Sequence, residues 1–265
     1  MIKVINKRDG GSIFHYAHFL CDCLFPEIVN YLYKYKQIFR EKSIDQTIGN
    51  FNNIYEDVML NKNIELIKHN FNNLFIKTIT YKPKEYYCHR IYFDYFRNFI
   101  FTRYKINPII YNKAYSPIIL IKRYNRINLI DDTYLKRIND NVSTGKERRE
   151  INEIDNLEKY LKDKYNTNFN SVYLELVSFE EQIKIFNNAK MIICAHGAAM
   201  SNMFFCKEQT KIIEVTCNTK WLFFDTMSKI MNLKHIKCDV NEINSIIQCI
   251  EENMITEINN NHDNL

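Results

Sequence analysis

The apolar positions of this chain fall into two patterns. From about residue 118 onward, short apolar runs alternate with longer stretches of helical period. Ile118–Ile121 reads as a buried strand ending in Lys122 and Arg123. Asp131–Ile138 is helical and Asn139–Lys146 is a polar loop. Glu150–Lys164 follows as a long helix with Ile151, Ile154, Leu157 and Leu161 on one face. Strands and helices then take turns over Val172–Leu176, Glu180–Asn187, Met191–Ala195, Ala199–Phe205, Lys211–Val215, Leu222–Met231, His235–Cys238 and Glu242–Asn253. Four- to six-residue apolar runs separated by helices predict a parallel sheet with crossover helices.

The N-terminal part is less regular. Ile2–Ile5 predicts a short strand, closed by Gly10 and Gly11, and Ser12 can cap a helix starting near Phe14. Pro26 kinks or restarts that helix, and Ile28, Leu32, Tyr35 and Phe39 continue its apolar stripe. Strand-like runs recur at Ile64–Ile67 and Phe75–Tyr81, before an aromatic helix over Tyr86–Phe101. Pro108 and Pro117 bracket a linker. The division predicted is an N-terminal domain over residues 1–110 and a C-terminal domain over 111–265.

Composition narrows the class. With 265 residues, 46% of them hydrophobic, the chain can bury a core, and disorder is excluded as its main state. No apolar run approaches the roughly 20 residues that span a bilayer. The N terminus is too polar for a signal sequence, and the eight cysteines have no repeated spacing. A soluble cytoplasmic protein with free thiols is the expectation. The net charge of +5 is local, because Lys113–Arg149 holds nine basic and four acidic residues. That stretch lacks the interleaved aromatics or helix-turn-helix pattern of a nucleic-acid binder, so an anionic small molecule fits it better.

Met191–Phe205 carries the sharpest chemical signal. A buried strand stops at His196-Gly197-Ala198-Ala199, and Ser201-Asn202 with Met203, Phe204 and Phe205 open a helix. Small residues and bare amides at a helix start suit an anion, and missing Cβ bulk lets a phosphate come close. His196 falls at the carboxyl end of a strand, where open α/β sheets bind ligands.

Four segments together resemble glycosyltransferase family 61, sugar transferases related to the protein O-linked GlcNAc and xylosyl enzymes. Ser178–Asn202 looks like the family's core signature, with its Glu-Gln helix, apolar strand and His-Gly-Ala turn. Ile119-Leu120-Ile121-Lys122-Arg123 looks like the strand that ends in Ser-Arg, with Lys in place of Ser. Arg148-Arg149-Glu150-Ile151-Asn152-Glu153 resembles the Arg-rich Asn-Glu segment, and His18, Asp22 and Pro26 match the family's His, Asp and Pro spacing. The resemblance implies a GT-B-like α/β fold, two Rossmann-like domains facing a cleft, the N-terminal one minimal. It also implies a nucleotide-sugar donor, with UDP-xylose or UDP-GlcNAc leading, and a glycan or protein acceptor.

Transfer from such a donor needs a stabilised diphosphate leaving group and a base for the acceptor hydroxyl. The chain has no Asp-X-Asp loop after a strand to carry a metal. Fixed positive charge is the alternative, at about 1.5–3 kcal/mol for each charge-assisted hydrogen bond. No cofactor is expected, and transfer is expected to be metal-independent. Arg123 is assigned to the diphosphate, with Arg148 or Arg149 as a second contact. His196, the amides of Gly197 and Ala198, Ser201 and Asn202 are assigned to the donor, and Glu214 to the ribose hydroxyls. Glu181 and Gln182 support the His196 loop.

Asp22 is the favoured base. It lies four residues after His18, which is the alternative, and a base opposite the leaving group inverts the anomeric centre. Two rivals remain. The chain could bind nucleotide-sugar without catalysis, or His15, His18, Cys21, Asp22 and Cys23 could hold zinc in a hydrolase.

Overall fold

The computed structural model describes residues 2–3, 16–30, 38–40, 51–59, 66–68, 75–76, 90–124, 150–215 and 222–260. They form two compact units. One holds the described residues up to Ile110 together with Ala198–Phe205, and the other holds the remainder.

The first unit is built on aromatic side chains. Residues 16–30 are helical throughout, as an α-helix Tyr16–His18, a π-helical turn Phe19–Leu24 and an α-helix Phe25–Asn30. Proline at position 26 has no backbone N–H to donate, and the turn just before its helix is the π-helical one. Phe25 lies 5.3 Å from the rings of Phe93 and Phe96 in the Arg90–Arg103 helix, and 5.1 Å from Phe204. All four rings are fully buried, each removing roughly 1.5–3 kcal/mol worth of apolar surface from water. Two small strand pairs complete the unit. Strand β1 (Ile2–Lys3) runs antiparallel to β4 (Phe75–Ile76), and β2 (Ile38–Arg40) runs parallel to β3 (Leu66–Lys68). Phe39 therefore sits on a strand and not at the end of the helical stripe that began at Ile28. A helix over Asn52–Met59 has no counterpart in the sequence reading.

The second unit carries a five-stranded, wholly parallel sheet. Its strands are β5 (Ile118–Lys122), β6 (Phe169–Tyr173), β7 (Met191–Ala195), β8 (Lys211–Val215) and β9 (Lys234–Cys238), in the order β6-β5-β7-β8-β9. The helices Ile154–Tyr165, Phe179–Asn188, Phe223–Ile230 and Ile243–Asn260 alternate with the strands, so this unit is a Rossmann-like α/β sheet. One face packs Ile118, Leu120, Met191, Ile193, Ala195, Ile213, Val215 and Cys238 against Leu157, Leu161, Ile246 and Ile250. Strand alternation turns Ile119, Ile121, Ile192, Cys194, Ile212 and Glu214 to the other face.

Several boundaries differ from expectation. The helix placed from Glu150 starts at Ile154. Asn152 instead donates twice to Asn241, from its backbone N–H to Oδ1 and from its side-chain amide to the carbonyl oxygen, and Glu153 adopts a left-handed φ of 53°. Strand β6 begins three residues before Val172, and Leu174–Leu176 forms a 3₁₀ turn. Ala198–Phe205 is a 3₁₀-helix and not an α-helix. Its six successive buried residues, Met200–Phe205, leave no solvent face, so packing overrides helical period there. The expected helix over Asp131–Ile138, the loop Asn139–Lys146 and the helix start near Phe14 lie outside the described residues. No helix among the described residues is long and apolar enough to cross a membrane.

Candidate functional site

Strand order reverses at β5. Its chain successor β6 lies on one side and β7 on the other. In open α/β sheets such a switch point opens a crevice at the carboxyl ends of the two diverging strands. The residues that leave those ends are Arg123, after β5, and His196, after β7. The strands pair as far as Ile121 with Cys194, and the His196 amide donates to the Val215 carbonyl at 3.0 Å. His196 thus leaves the sheet from a fixed backbone.

The two residues meet. Arg123 Nη2 donates to the His196 carbonyl oxygen at 2.8 Å. The same guanidinium lies over Gly197, where a Cβ would stand 2.1 Å from Nη2. Glycine here makes room for an arginine, whereas the sequence suggested room for phosphate. Any side chain at 197 would push the guanidinium aside. Lys122, one residue earlier, is committed elsewhere. Its ammonium is buried against Asp155 at 2.9 Å and Glu158 at 2.6 Å, over the ring of Tyr173. It ties β5 to the Ile154–Tyr165 helix and leaves Arg123 as the cation at the strand end.

Behind His196 lies a relay of charged and polar groups, buried at Glu214 and His235 and half-buried at Asp225 and Lys237. His196 Nδ1 hydrogen-bonds Glu214 Oε1, and the ring packs edge-on to Phe224 at 5.4 Å. Glu214 Oε2 accepts from His235 Nε2 at 2.7 Å. His235 Nδ1 faces Asp225 Oδ1 at 3.4 Å, and Asp225 Oδ2 accepts from Lys237 at 2.6 Å. Glu214 is 1% exposed. Burial raises its pKa, but the hydrogen bonds from the two histidines outweigh that and hold it at about 2. It is therefore an acceptor only, and both rings must donate to it. Cys194, on the same sheet face, is pushed up to about 12 by burial and then by the Glu214 charge, which keeps it a thiol.

A folded-state pKa below that of an ordinary carboxylate gives stability that is present above about pH 4.5 and lost as pH falls toward about 2. The shift corresponds to about 3 kcal/mol. Thermal melts across that window are expected to show this acid loss in the native protein and its disappearance in Glu214→Gln. Equal acid slopes in the two proteins would refute the assignment.

The other expected site residues divide as follows. Asn202 is fully buried, and its Oδ1 accepts from Tyr16 at 2.5 Å within the first unit. Ser201 is also fully buried, and its hydroxyl has no partner among the described residues. Ala198 opens the 3₁₀ segment. Glu214 was expected to accept from ribose, but both of its oxygens are held by histidines, which places it behind His196. Glu181 accepts from Tyr115 at 2.9 Å, and Gln182 donates to the Leu174 carbonyl at 3.0 Å. Gln182 thus braces the connection from β6 to its helix, and Glu181 ties that helix to the segment before β5.

The backbone of His18 closes an α-turn and that of Asp22 lies in the π-helical turn, a feature frequent at functional sites. Their side chains, and those of Cys23, Arg148, Arg149 and His15, lie outside the described residues, so the proposed zinc ligands fall there too, except for the buried Cys21. Among the described residues no group of three or more His, Cys, Asp or Glu could hold a metal ion. Sequence reasoning missed His235. The available signal was a charge inside the apolar run Ile212-Ile213-Glu214-Val215, because a buried carboxylate requires donors and the next strand begins Lys234-His235.

No curated protein matches the chain. The family model for glycosyltransferase 61 matches residues 16–213, more than half of the chain, and covers the 16–30 helical run, Arg123 and the His196 turn. The chain belongs to glycosyltransferase family 61.

Proposed function

We propose that the protein is a GT-B-type enzyme that transfers a sugar from a UDP-sugar, with xylose or GlcNAc as the sugar, to a hydroxyl of a glycan or protein. In this reading transfer is inverting and metal-independent, residues 111–265 carry the donor, and residues 1–110 serve the acceptor. One observation supports it most. The Arg123 guanidinium is fixed on the His196 carbonyl at the carboxyl ends of β5 and β7, where the sheet's strand order reverses.

The chemistry follows from charge. As the bond from the anomeric carbon to the diphosphate breaks, its electron pair goes to the departing phosphate oxygen. Arg123 is placed by its bond to the His196 carbonyl to face that oxygen, and a planar guanidinium meets phosphate oxygens in pairs. His196, held through Nδ1 by Glu214, keeps Nε2 for the donor, and Arg148 or Arg149 adds a second cation. Asp22 or His18 takes the proton of the acceptor hydroxyl as the new bond forms on the opposite face of the sugar.

Thermal-shift titration with UDP and UDP-sugars in excess EDTA tests the donor reading. A donor at one hundred times its Kd stabilises the fold by about 2.7 kcal/mol. Stabilisation that appears only after a divalent metal is added refutes metal independence, and none with any nucleotide refutes the donor site. NMR of the product then reads the anomeric configuration, and retention refutes inversion.

A further inference from the structure

The donor site uses one side of Glu214, yet the carboxylate has a second histidine on its other side. His196 and His235 approach the two oxygens of one buried, ionised carboxylate, so the proton positions are constrained together. Glu214 can only accept, which requires a proton on His196 Nδ1 and another on His235 Nε2. A carboxylate bonded on one oxygen can rotate about its last bond, whereas one bonded on both cannot. On its far side His235 Nδ1 lies 3.4 Å from Asp225 Oδ1 without a hydrogen bond, and the other oxygen of Asp225 is bound by Lys237. Among the described residues the Cys194 thiol, whose titration senses both Glu214 and Arg123, the Lys237 ammonium, which senses Glu214, and the ring of Phe224 also lie near. None of these supplies a second donor to Glu214.

We propose that His235 is a positioning residue for donor recognition: by clamping Glu214 Oε2 it fixes the Nδ1–H form of His196 and aims Nε2, an acceptor in that form, at a hydroxyl of the donor nucleotide. The proposal rests on the donor reading above for its consequence, but not for the clamp itself. His235 touches no substrate in this arrangement. Its effect passes through Glu214 to His196, as the partners behind an oriented histidine do at metal sites, where their loss costs about 10- to 100-fold.

Two amide substitutions separate orientation from burial. In His235→Gln the side-chain amide reaches the position of Nε2 and can still donate to Glu214. In His235→Asn it reaches only the position of Nδ1, on the Asp225 side. His235→Gln is expected to keep UDP affinity within about threefold and His235→Asn to lose about 10-fold or more. Long-range proton–nitrogen NMR of the histidine rings supplies a readout that a purely structural role would not move. The His196 Nδ1–H form should persist in native protein and His235→Gln, and give way to a tautomer mixture in His235→Asn. Unchanged tautomer and affinity in His235→Asn overturn the proposal, as does equal loss in both variants. If native protein binds no UDP while His235→Asn still shifts the tautomer, the donor reading fails and the clamp stands.

Discussion

Replacing Arg123 with alanine is expected to lower kcat/KM by about 10²–10³-fold, the usual cost of removing a fixed donor from a developing anion. The guanidinium is positioned before substrate arrives. One N–H is bonded to the His196 carbonyl, and the missing Cβ of Gly197 gives the group its place. Little reorganisation is then needed when negative charge grows on the leaving phosphate. Part of the loss belongs to the ground state, so UDP affinity should fall by about 10- to 150-fold, equivalent to one charge-assisted hydrogen bond. Arg123→Lys should recover little, because a point charge on a flexible stem cannot serve the His196 carbonyl and a phosphate at once. Steady-state kinetics and calorimetric UDP titration measure both quantities. A kcat/KM within threefold of native for Arg123→Ala would remove Arg123 from the site and with it the main support for the donor reading.

Substituting Asp22 with asparagine should abolish turnover and spare donor binding. Asparagine keeps the shape of the side chain and cannot take a proton, and loss of a general base costs about 10²–10⁴-fold. UDP affinity should stay unchanged, because the diphosphate contacts are assigned to other residues. The rising limb of the pH–rate profile should vanish with the base. His18→Asn is the companion variant, and whichever of the two loses turnover while retaining UDP binding is the base. Native turnover in both variants would exclude this pair. Loss of UDP binding together with turnover would reassign the residue to the donor.

These expectations draw on what could be read in the chain and on what could not. The alternation of apolar runs and helices after residue 118 made the second unit legible almost element by element, with Met191–Ala195 and Lys211–Val215 placed to the residue. Strands buried on both faces must be apolar throughout, and that signal survives without neighbours. The positions of Arg123 and His196 were legible for a related reason, since His196 is the first polar residue after such a run and Arg123 the second, after Lys122. The N-terminal part was harder to read. Its aromatic positions pack around Phe25, Phe96 and Phe204 in a cluster assembled from distant segments, and local period carries little of that. The Ala198–Phe205 segment likewise took its 3₁₀ form from burial on every side.

The sequence by itself determined the parallel α/β sheet, the family, and the positions where strands hand over polar groups, because hydrophobic period and residue type are local properties. Only the tertiary structure decided what those groups do for one another. It put the Arg123 guanidinium on the His196 carbonyl over a glycine, buried Glu214 behind His196, and set His235 on its other oxygen. Partnership across neighbouring strands depends on sheet order and register, and a chain does not display these until it folds.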